Sequence, residues 1–225
     1  MLFRSRRWLL ALHSSSDTLG IGLQPLAVAE APLEAPRLEA FPLGRSLANA
    51  LLGCLETVMP APRWRELGRL AVAIGPGGFT GTRLTVVLAR TLAQQLALPL
   101  DGIGSFALIA RRLLRCRSQE LAPGFWLTQE LPRRGLVAGL YGPDPTVPEG
   151  LREWLAPRLY PDPDGLIEVA RQLGMPDAPR LPAEPRLPAD VGDLLELAQL
   201  AARQNRPAPW QSVLPLYPTS PVVVG

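Results

Sequence analysis

The chain has no lysine, and its 225 residues include one histidine and two cysteines. Without lysine there can be no Schiff-base lysine, no lysine general base and no lysine in a phosphate-binding loop. Cys54 and Cys116 lie far apart in the sequence, so neither a zinc site nor a disulfide framework is predicted. This use of cysteine fits a reducing compartment and predicts a cytoplasmic protein.

Long hydrophobic runs are also missing. The apolar run Trp8–Leu12 follows Arg4, Arg6 and Arg7, but it is shorter than the hydrophobic region of a secretory signal. No stretch approaches the roughly 20 apolar residues that cross a bilayer. The net charge is only +3, which predicts no large electrostatic footprint for nucleic acid. We therefore expect a soluble protein with no membrane association.

What the chain does contain is enough apolar sequence to fold. Hydrophobic residues make up 47% of it and five are tryptophan, so a mostly disordered chain is excluded. The first half alternates short apolar runs with helical patterns, which predicts an α/β domain over residues 1–104. The predicted elements are the hairpin strands Trp8–Leu12 and Thr18–Leu23, helix Arg45–Met59, strand Leu70–Ile74, helix Thr82–Ala97 and strand Leu98–Ile103.

Most of the 26 prolines fall in the second half, so residues 105–225 are predicted to form a reduced, loop-rich lobe with an extended tail. Ser105 is placed to cap a helix over Phe106–Cys116. The other predicted elements are strands Gly124–Thr128 and Leu136–Tyr141, a short helix near Leu151–Leu155, helices Leu166–Leu173 and Val191–Arg203, the extended linker Pro179–Pro188 and the tail Val213–Val224.

The segment GPGGFTGTR, Gly75–Arg83, is the most distinctive motif. Glycine permits positive φ angles and close approach of another backbone, and Thr80 or Thr82 is placed to cap the following helix. A glycine-rich turn at a helix N-terminus can bind an anion, with Arg83 adding charge-assisted hydrogen bonds. A purely structural turn is the alternative.

Two familiar phosphate motifs do not match this segment. A Walker loop requires lysine, and a dinucleotide fingerprint requires its third glycine one place before Gly81. Asp101 lies roughly 20 residues downstream, where a ribose-binding acid would sit. Because Asp101 lies in a proline-flanked strand, we interpret this spacing as a coincidence and not as a ribose-binding site.

The helix after this segment is apolar around most of its circumference. Arg83, Arg90 and Gln94 share one face, whereas a helix on one sheet face needs an apolar stripe only a little over 100° wide. The preceding helix is also apolar around most of its circumference. The two helices therefore either bury their remaining apolar residues against each other or present them to a partner protein. The predicted interface comprises Leu47, Leu51, Leu55, Leu84, Val87, Leu88 and Thr91.

These residues also carry a family resemblance. Ala71–Gly81, the helix after it and Leu98–Ser105 closely resemble the TsaB (YeaZ-like) family of bacterial tRNA threonylcarbamoyladenosine biosynthesis proteins. The family hallmark, Gly-Pro-Gly-Ser-Phe-Thr-Gly-x-Arg, has serine where this chain has Gly78. The motif residues here are Gly75, Pro76, Gly77, Gly78, Phe79, Thr80, Gly81 and Arg83. Weaker similarity covers Leu10–Ser16, Arg133–Tyr141 and Leu214–Pro221.

The resemblance implies an actin-like (ASKHA, ribonuclease H-like) two-lobed fold. It also implies a noncatalytic subunit that pairs through N-terminal-lobe helices with a TsaD-like catalytic subunit, or with itself in isolation. With a TsaE-like ATPase, the complex modifies adenosine 37 of tRNA. The chain alone would bind no cofactor, and a nucleotide would lie at the interface with the partner.

The chain departs from the family pattern at three places. His13 replaces an aspartate of the first hairpin, Gln129 or Glu130 stands near an aspartate of the second lobe, and Leu136 replaces a glutamate. These changes weaken the case for nucleotide binding by this chain alone.

Three alternatives remain. One is an ATP-binding enzyme of the actin-like superfamily, but the acidic residue that such an enzyme needs is missing at position 13, which is histidine. A glycoprotease-type peptidase lacks a metal-ligand cluster, and its base would have to be His13, which is expected to be exposed in a turn. Ser14, Ser15 and Ser16 have no identifiable His-Asp support. A direct tRNA-binding module would use the basic residues Arg4, Arg6, Arg7, Arg133 and Arg134.

Overall fold

A computed structural model describes residues 7–27, 34–162 and 164–218. The chain divides into two compact units: one within Met1–Ser105 and Pro185–Pro215, the other within Phe106–Glu184 and Leu216–Gly225. The first break adjoins the predicted boundary after residue 104. The return of Pro185–Pro215 to the first unit differs from the sequence-based division, which placed that segment in the second lobe.

The first unit is built on a five-stranded sheet in the order β3-β2-β1-β4-β5. The strands are β1 (Trp8–His13), β2 (Thr18–Pro25), β3 (Arg37–Pro42), β4 (Leu67–Ala73) and β5 (Leu100–Ile103). The first three are antiparallel neighbours, whereas β4 pairs in parallel with both β1 and β5. The predicted hairpin is therefore confirmed.

Two helices, α1 (Leu47–Val58) and α2 (Phe79–Leu96), cover one face of this sheet. Short 3-10 helices, Gly44–Ser46 and Ala61–Glu66, flank α1. The buried stripe of α1 is Leu47, Leu51, Leu55 and Val58, which follows the helical period. Because Leu55 is fully buried, its burial alone contributes about 1.5–3 kcal/mol.

A third helix, α5 (Ala189–Arg203), covers the opposite face by packing on β1, β2 and β4. The close approach requires glycine in β2, because a Cβ atom at Gly22 would lie 2.6 Å from Val191 and 2.7 Å from Leu195. Gln199 also binds both backbone groups of Ala27. These contacts explain why the C-terminal segment belongs to the first unit, although local sequence gives no sign of it.

The second unit has a four-stranded sheet in the order β8-β7-β6-β9. Its strands are β6 (Phe125–Leu131), β7 (Gly135–Pro143), β8 (Leu151–Tyr160) and β9 (Arg180–Pro182), and its helices are α3 (Ser105–Arg117) and α4 (Asp164–Gln172). Alternate residues of β6 enter different cores. Phe125 and Leu127 pack in the cluster that contains residues of α3, and Trp126 packs in the cluster that contains residues of α4.

Three local predictions in this half are wrong. The segment Leu151–Leu155 is the start of strand β8, not a helix, because it pairs along β7. The connection predicted at Gln129–Gly135 is shorter, because residues 129–131 extend β6 and Gly135 begins β7, which leaves residues 132–134 as the turn. Within the predicted linker Pro179–Pro188, β9 adds a parallel strand to β6. Of the predicted tail Val213–Val224, residues 219–224 lie outside the described residues.

Candidate docking surface

The segment Gly75–Arg83 joins β4 to α2 and packs tightly on the turn between β1 and β2. Gly75 has a φ angle of +100°, and its carbonyl oxygen accepts a hydrogen bond from the Ser105 N–H at 2.7 Å. The Gly78 N–H donates to the carbonyl oxygen of Ser15 at 2.6 Å. The turn is thereby tied at both ends to neighbouring elements of the first unit.

Two of the glycines are required by this packing. A Cβ atom at Gly77 would lie 2.8 Å from Cα of Ser15 and nearer still to that residue's Cβ and carbonyl oxygen. A Cβ atom at Gly81 would lie 2.7 Å from the carbonyl oxygen of Ser14. Gly78 differs, since its nearest neighbour would be an ordinary 3.5 Å away. The family serine at this position would therefore fit.

The predicted helix caps, Thr80 or Thr82 for α2 and Ser105 for α3, are wrong. The residue that precedes α2 is Gly78, and no side chain caps the helix, because the helix begins at Phe79 and takes Thr80 and Thr82 into its first turn. Thr82 is buried, and its hydroxyl has no hydrogen-bond partner among the described residues. The Ser105 hydroxyl is likewise buried without such a partner.

His13 is fully buried, which corrects the expectation that it is exposed. It is the last residue of β1 and pairs with Gly20, in a sheet that carries helices on both faces. Its Nδ1 lies 3.4 Å from the backbone nitrogen and the hydroxyl oxygen of Ser15. Desolvation lowers the pKa of His13 to about 4, so its ring is neutral at pH 7.

The neighbouring side chains are engaged in structure. The hydroxyl groups of Ser14 and Thr85 share a buried hydrogen bond of 2.8 Å. Asp101 binds the buried guanidinium of Arg69 through two hydrogen bonds of 2.6 and 2.9 Å, which gives it a structural partner in place of a ribose. Within the described ranges, no group of three or more His, Cys, Asp or Glu side chains is placed to hold a metal ion.

The exposed surface of α1 and α2 contains large apolar side chains. Val87 is 60% exposed, Phe79 is 59% exposed and Leu52 is 50% exposed. These residues project from the helices that cover one sheet face. Large contiguous apolar patches are characteristic of protein-binding sites.

The predicted interface residues fall into three groups in the structure. Leu47, Leu51 and Leu55 are buried in the core of the first unit, so their side chains are not available to a partner. Leu84 and Leu88 are partly buried and pack against that core. Val87 and Thr91 are exposed. The surface therefore contains Leu52 and Phe79, which the prediction omitted, in place of the three buried leucines.

A groove of about 480 Å³ lies at the start of both helices. Asp17 and Arg45 supply charge of both signs, while Phe79 and Leu84 supply apolar lining. The guanidinium carbon of Arg83 lies 3.6 Å from the ring centre of Phe79, a cation–π contact that adds positive charge beside this ring. The groove thus extends the exposed face of α2 toward its N-terminus.

The second-unit positions that depart from the family pattern lie together at the β6–β7 hairpin. Glu130 and Leu136 are paired across the two strands. With Arg133, they line a hollow of about 470 Å³. Arg133 occupies the hairpin turn with a φ angle of 66°. Of the other basic residues proposed for tRNA, Arg7 and Arg134 are described, whereas Arg4 and Arg6 lie outside the described residues.

Comparisons with known sequences find similarity to TsaD and to TsaB. The family model for tRNA N6-adenosine threonylcarbamoyltransferase (TsaD) matches residues 45–126. The tRNA threonylcarbamoyladenosine biosynthesis protein TsaB of Bacillus subtilis (strain 168) is 34% identical over 107 residues, covering 45% of this chain and 43% of the relative. TsaB of Buchnera aphidicola subsp. Schizaphis graminum (strain Sg) is 33% identical over 51 residues, covering 23% and 24%. The chain thus spans less than half the length of these curated relatives.

Solved structures match nearly the whole chain. YeaZ from Pseudomonas aeruginosa has a TM-score of 0.67 at 20% identity, covering 93% of this chain and 100% of that one. A protein with similarity to peptidase YEAZ, also from Pseudomonas aeruginosa, has a TM-score of 0.64 at 21% identity, covering 94% and 99%. The predicted α/β, actin-like fold is confirmed.

Proposed function

We propose that this chain, a TsaB/YeaZ-like protein, is a noncatalytic scaffold and activator for threonylcarbamoylation of adenosine 37 in tRNA. It acts in the cytoplasm by pairing with a TsaD-like catalytic subunit. The observation that carries the proposal is the apolar surface formed by Leu52, Phe79 and Val87 on two adjacent helices. Because each of these residues is 50–60% exposed, such a surface favours burial against a partner.

The family match supports the choice of partner. The matching model describes TsaD, and the matched residues 45–126 contain both α1 and α2. A TsaD-like protein therefore has its own counterparts of these helices. Pairing of the two sets would be an approximately two-fold arrangement, in which equivalent surfaces meet as in a symmetric dimer. A homodimer would use the same face when the partner is absent.

We propose further that this chain alone binds no nucleotide. The glycine-rich segment is in direct contact with Ser15, which leaves no space between them for a phosphate group. His13 is buried and neutral at pH 7, and its imidazole lacks the carboxylate oxygen with which an aspartate would bind Mg²⁺. A nucleotide, supplied in concert with a TsaE-like ATPase, would bind at the interface with the partner, and tRNA would bind the assembled complex.

The docking face is tested by Val87→Asp. Because Val87 is exposed, the change leaves the core intact, whereas Leu88 packs against the core and its replacement would also perturb the fold. A carboxylate buried without a partner in an apolar interface should weaken association at least ~100-fold, about 2.7 kcal/mol. The measurement is titration calorimetry with the TsaD-like protein from the same source.

The matched control is Ile167→Asp on α4 in the second unit, where the side chain is 41% exposed. This variant should bind as the wild type does. Equal affinity of the Val87 variant and the wild type would refute the docking face. Micromolar binding of Mg-ATP by the isolated chain would refute the noncatalytic scaffold and favour the ATP-binding alternative.

A further inference from the structure

A strap formed by Arg206–Pro215 runs from the end of α5 back to α2. It starts at the free edge of the five-stranded sheet, where the carbonyl oxygen of Ala208 accepts a hydrogen bond from the Leu100 N–H at 2.9 Å. The Arg206 carbonyl oxygen accepts another from Arg69 at 3.2 Å. Val213 is buried and packs so closely over Gly102 that a Cβ atom there would lie 2.8 Å from it.

Arg90 of α2 fixes the far end of the strap. Its Nη1 donates hydrogen bonds to the carbonyl oxygens of Val213 at 2.6 Å and Gln211 at 3.3 Å. Its guanidinium carbon also lies 5.5 Å from the ring centre of Trp210. Two charge-assisted hydrogen bonds and a cation–π contact therefore hold the strap against this helix.

The residue after this anchor point is Leu214, whose side chain is 60% exposed. Within the described part of the first unit, the exposed large apolar side chains are Leu52, Phe79, Val87 and Leu214. All four lie on α1, on α2 or on the strap that Arg90 binds to α2. A single exposed leucine needs no explanation, but this leucine continues the surface already assigned to the partner.

We infer that the strap is a second component of the docking surface, that Leu214 contacts the TsaD-like partner beside Val87, and that Arg90 is the positioning residue. The inference rests on the proposed function. Val87 and Arg90 are three residues apart on α2, a spacing that makes them surface neighbours. The carbonyl group that Arg90 binds belongs to the peptide bond leading into Leu214. The strap therefore joins the exposed ridge of α2 directly.

The strap shares its occupant with α2 because Arg90 joins the two surfaces. It lies outside residues 45–126, the segment that matches the TsaD model. The partner surface should be apolar opposite Leu214. It should carry carboxylates or carbonyl groups near α2, which has two arginines and no acidic residue.

The first test is Leu214→Asp, measured by titration calorimetry with the TsaD-like protein. The dissociation constant should rise at least ~10-fold, while the unfolding midpoint of the free chain stays unchanged. The matched control is Leu173→Asp, a leucine that is 39% exposed in the second unit. Its dissociation constant should equal that of the wild type.

The second test separates positioning from contact. Arg90→Ala removes the hydrogen bonds that hold the strap to α2, so it should weaken partner binding in the wild-type background. It should have no further effect in the Leu214→Asp background, because there is no longer an apolar side chain to position. Arg90→Lys keeps one charged donor and should restore part of the affinity. Additive losses in the double variant would overturn the positioning role.

The outcomes distinguish this inference from the proposed function. If Val87→Asp weakens association and Leu214→Asp does not, the strap is not part of the interface and the proposed function stands. If neither change weakens association, the docking face on α2 is wrong and the strap inference is wrong with it. Equal weakening by Leu173→Asp would show a general effect of added charge and would also overturn the inference.

Discussion

Replacing Gly77 by alanine tests the close packing between the glycine-rich segment and the first hairpin turn. The added methyl group would overlap Cα, Cβ and the carbonyl oxygen of Ser15. These are mostly backbone atoms, and the Gly78–Ser15 hydrogen bond of 2.6 Å holds the two segments together. The methyl group therefore cannot be accommodated by turning a flexible side chain. We expect a loss of about 1–3 kcal/mol in the free energy of unfolding.

For a chain of this size, each kcal/mol corresponds to roughly 2–4 °C in the midpoint of thermal unfolding. The expected decrease for Gly77→Ala is therefore about 2–12 °C. Calorimetry of the isolated chain measures it, and hydrogen exchange at Gly78 N–H shows whether the contact with Ser15 has opened.

The control lies at the next position. Gly78 has a φ angle of −53°, which any residue adopts, and its nearest neighbour would be 3.5 Å from an added Cβ. Gly78→Ala and Gly78→Ser should therefore stay within ~0.5 kcal/mol of the wild type. A Gly77 variant as stable as these two would refute the packing argument.

Three further predictions concern stability. Asp101→Asn leaves the Arg69 guanidinium buried without its counter-charge and should cost about 3–5 kcal/mol in a denaturant titration, whereas Glu66→Gln, at an exposed ion pair, should leave the midpoint unchanged. Gly53→Ala fills open space on α1 and should raise the free energy of unfolding by about 0.5–1 kcal/mol; a decrease would contradict the helix geometry. The pKa of His13 falls from 6.5 to about 4 on folding, so unfolding takes up a proton between these pH values. The contribution of His13 to the free energy of unfolding is therefore complete above pH 6.5. It falls by about 3 kcal/mol as the pH drops from 6.5 to 4. The His13→Asn variant should lose this slope between pH 6.5 and 5, and an unchanged slope would contradict burial of the ring.

The first half of the fold was predictable because its signals are local. The continuous apolar run Trp8–Leu12 became β1, a strand in the middle of the sheet with both neighbours in place. Helix α2 was predicted from residue 82, but it begins at Phe79. The motif glycines, which normally disfavour helix, lie partly inside its first turn.

The exposed surface was less predictable because adjacent leucines satisfy the helical period equally well. Leu51 is buried and Leu52 is 50% exposed, and only the position of the sheet under α1 decides between them. His13 is a similar case. Its exposure could not be judged from the polar turn that follows it, because α5, which covers one face of its sheet, begins only at Ala189.

Proline led to the wrong interpretation of β8. A strand that contains Pro157 is unfavourable in the middle of a sheet, but an edge strand tolerates it. β8 lies at the edge of its sheet. The order of strands, which depends on non-local pairing, was therefore needed to assign this segment.

The discontinuity of the first unit has a consequence during synthesis of the chain. When Ser105 has been made, the sheet face that α5 will cover still lacks its helix, and the roughly 80 residues of Phe106–Glu184 come first. At about 5–20 residues per second, this delay is on the order of 4–16 s. Throughout that interval the backbone at Gly20 and Gly22 of β2 is not covered by Val191 and Leu195 of α5. The nascent chain is therefore most open to aggregation, and most dependent on chaperones, before its last 40 residues are translated.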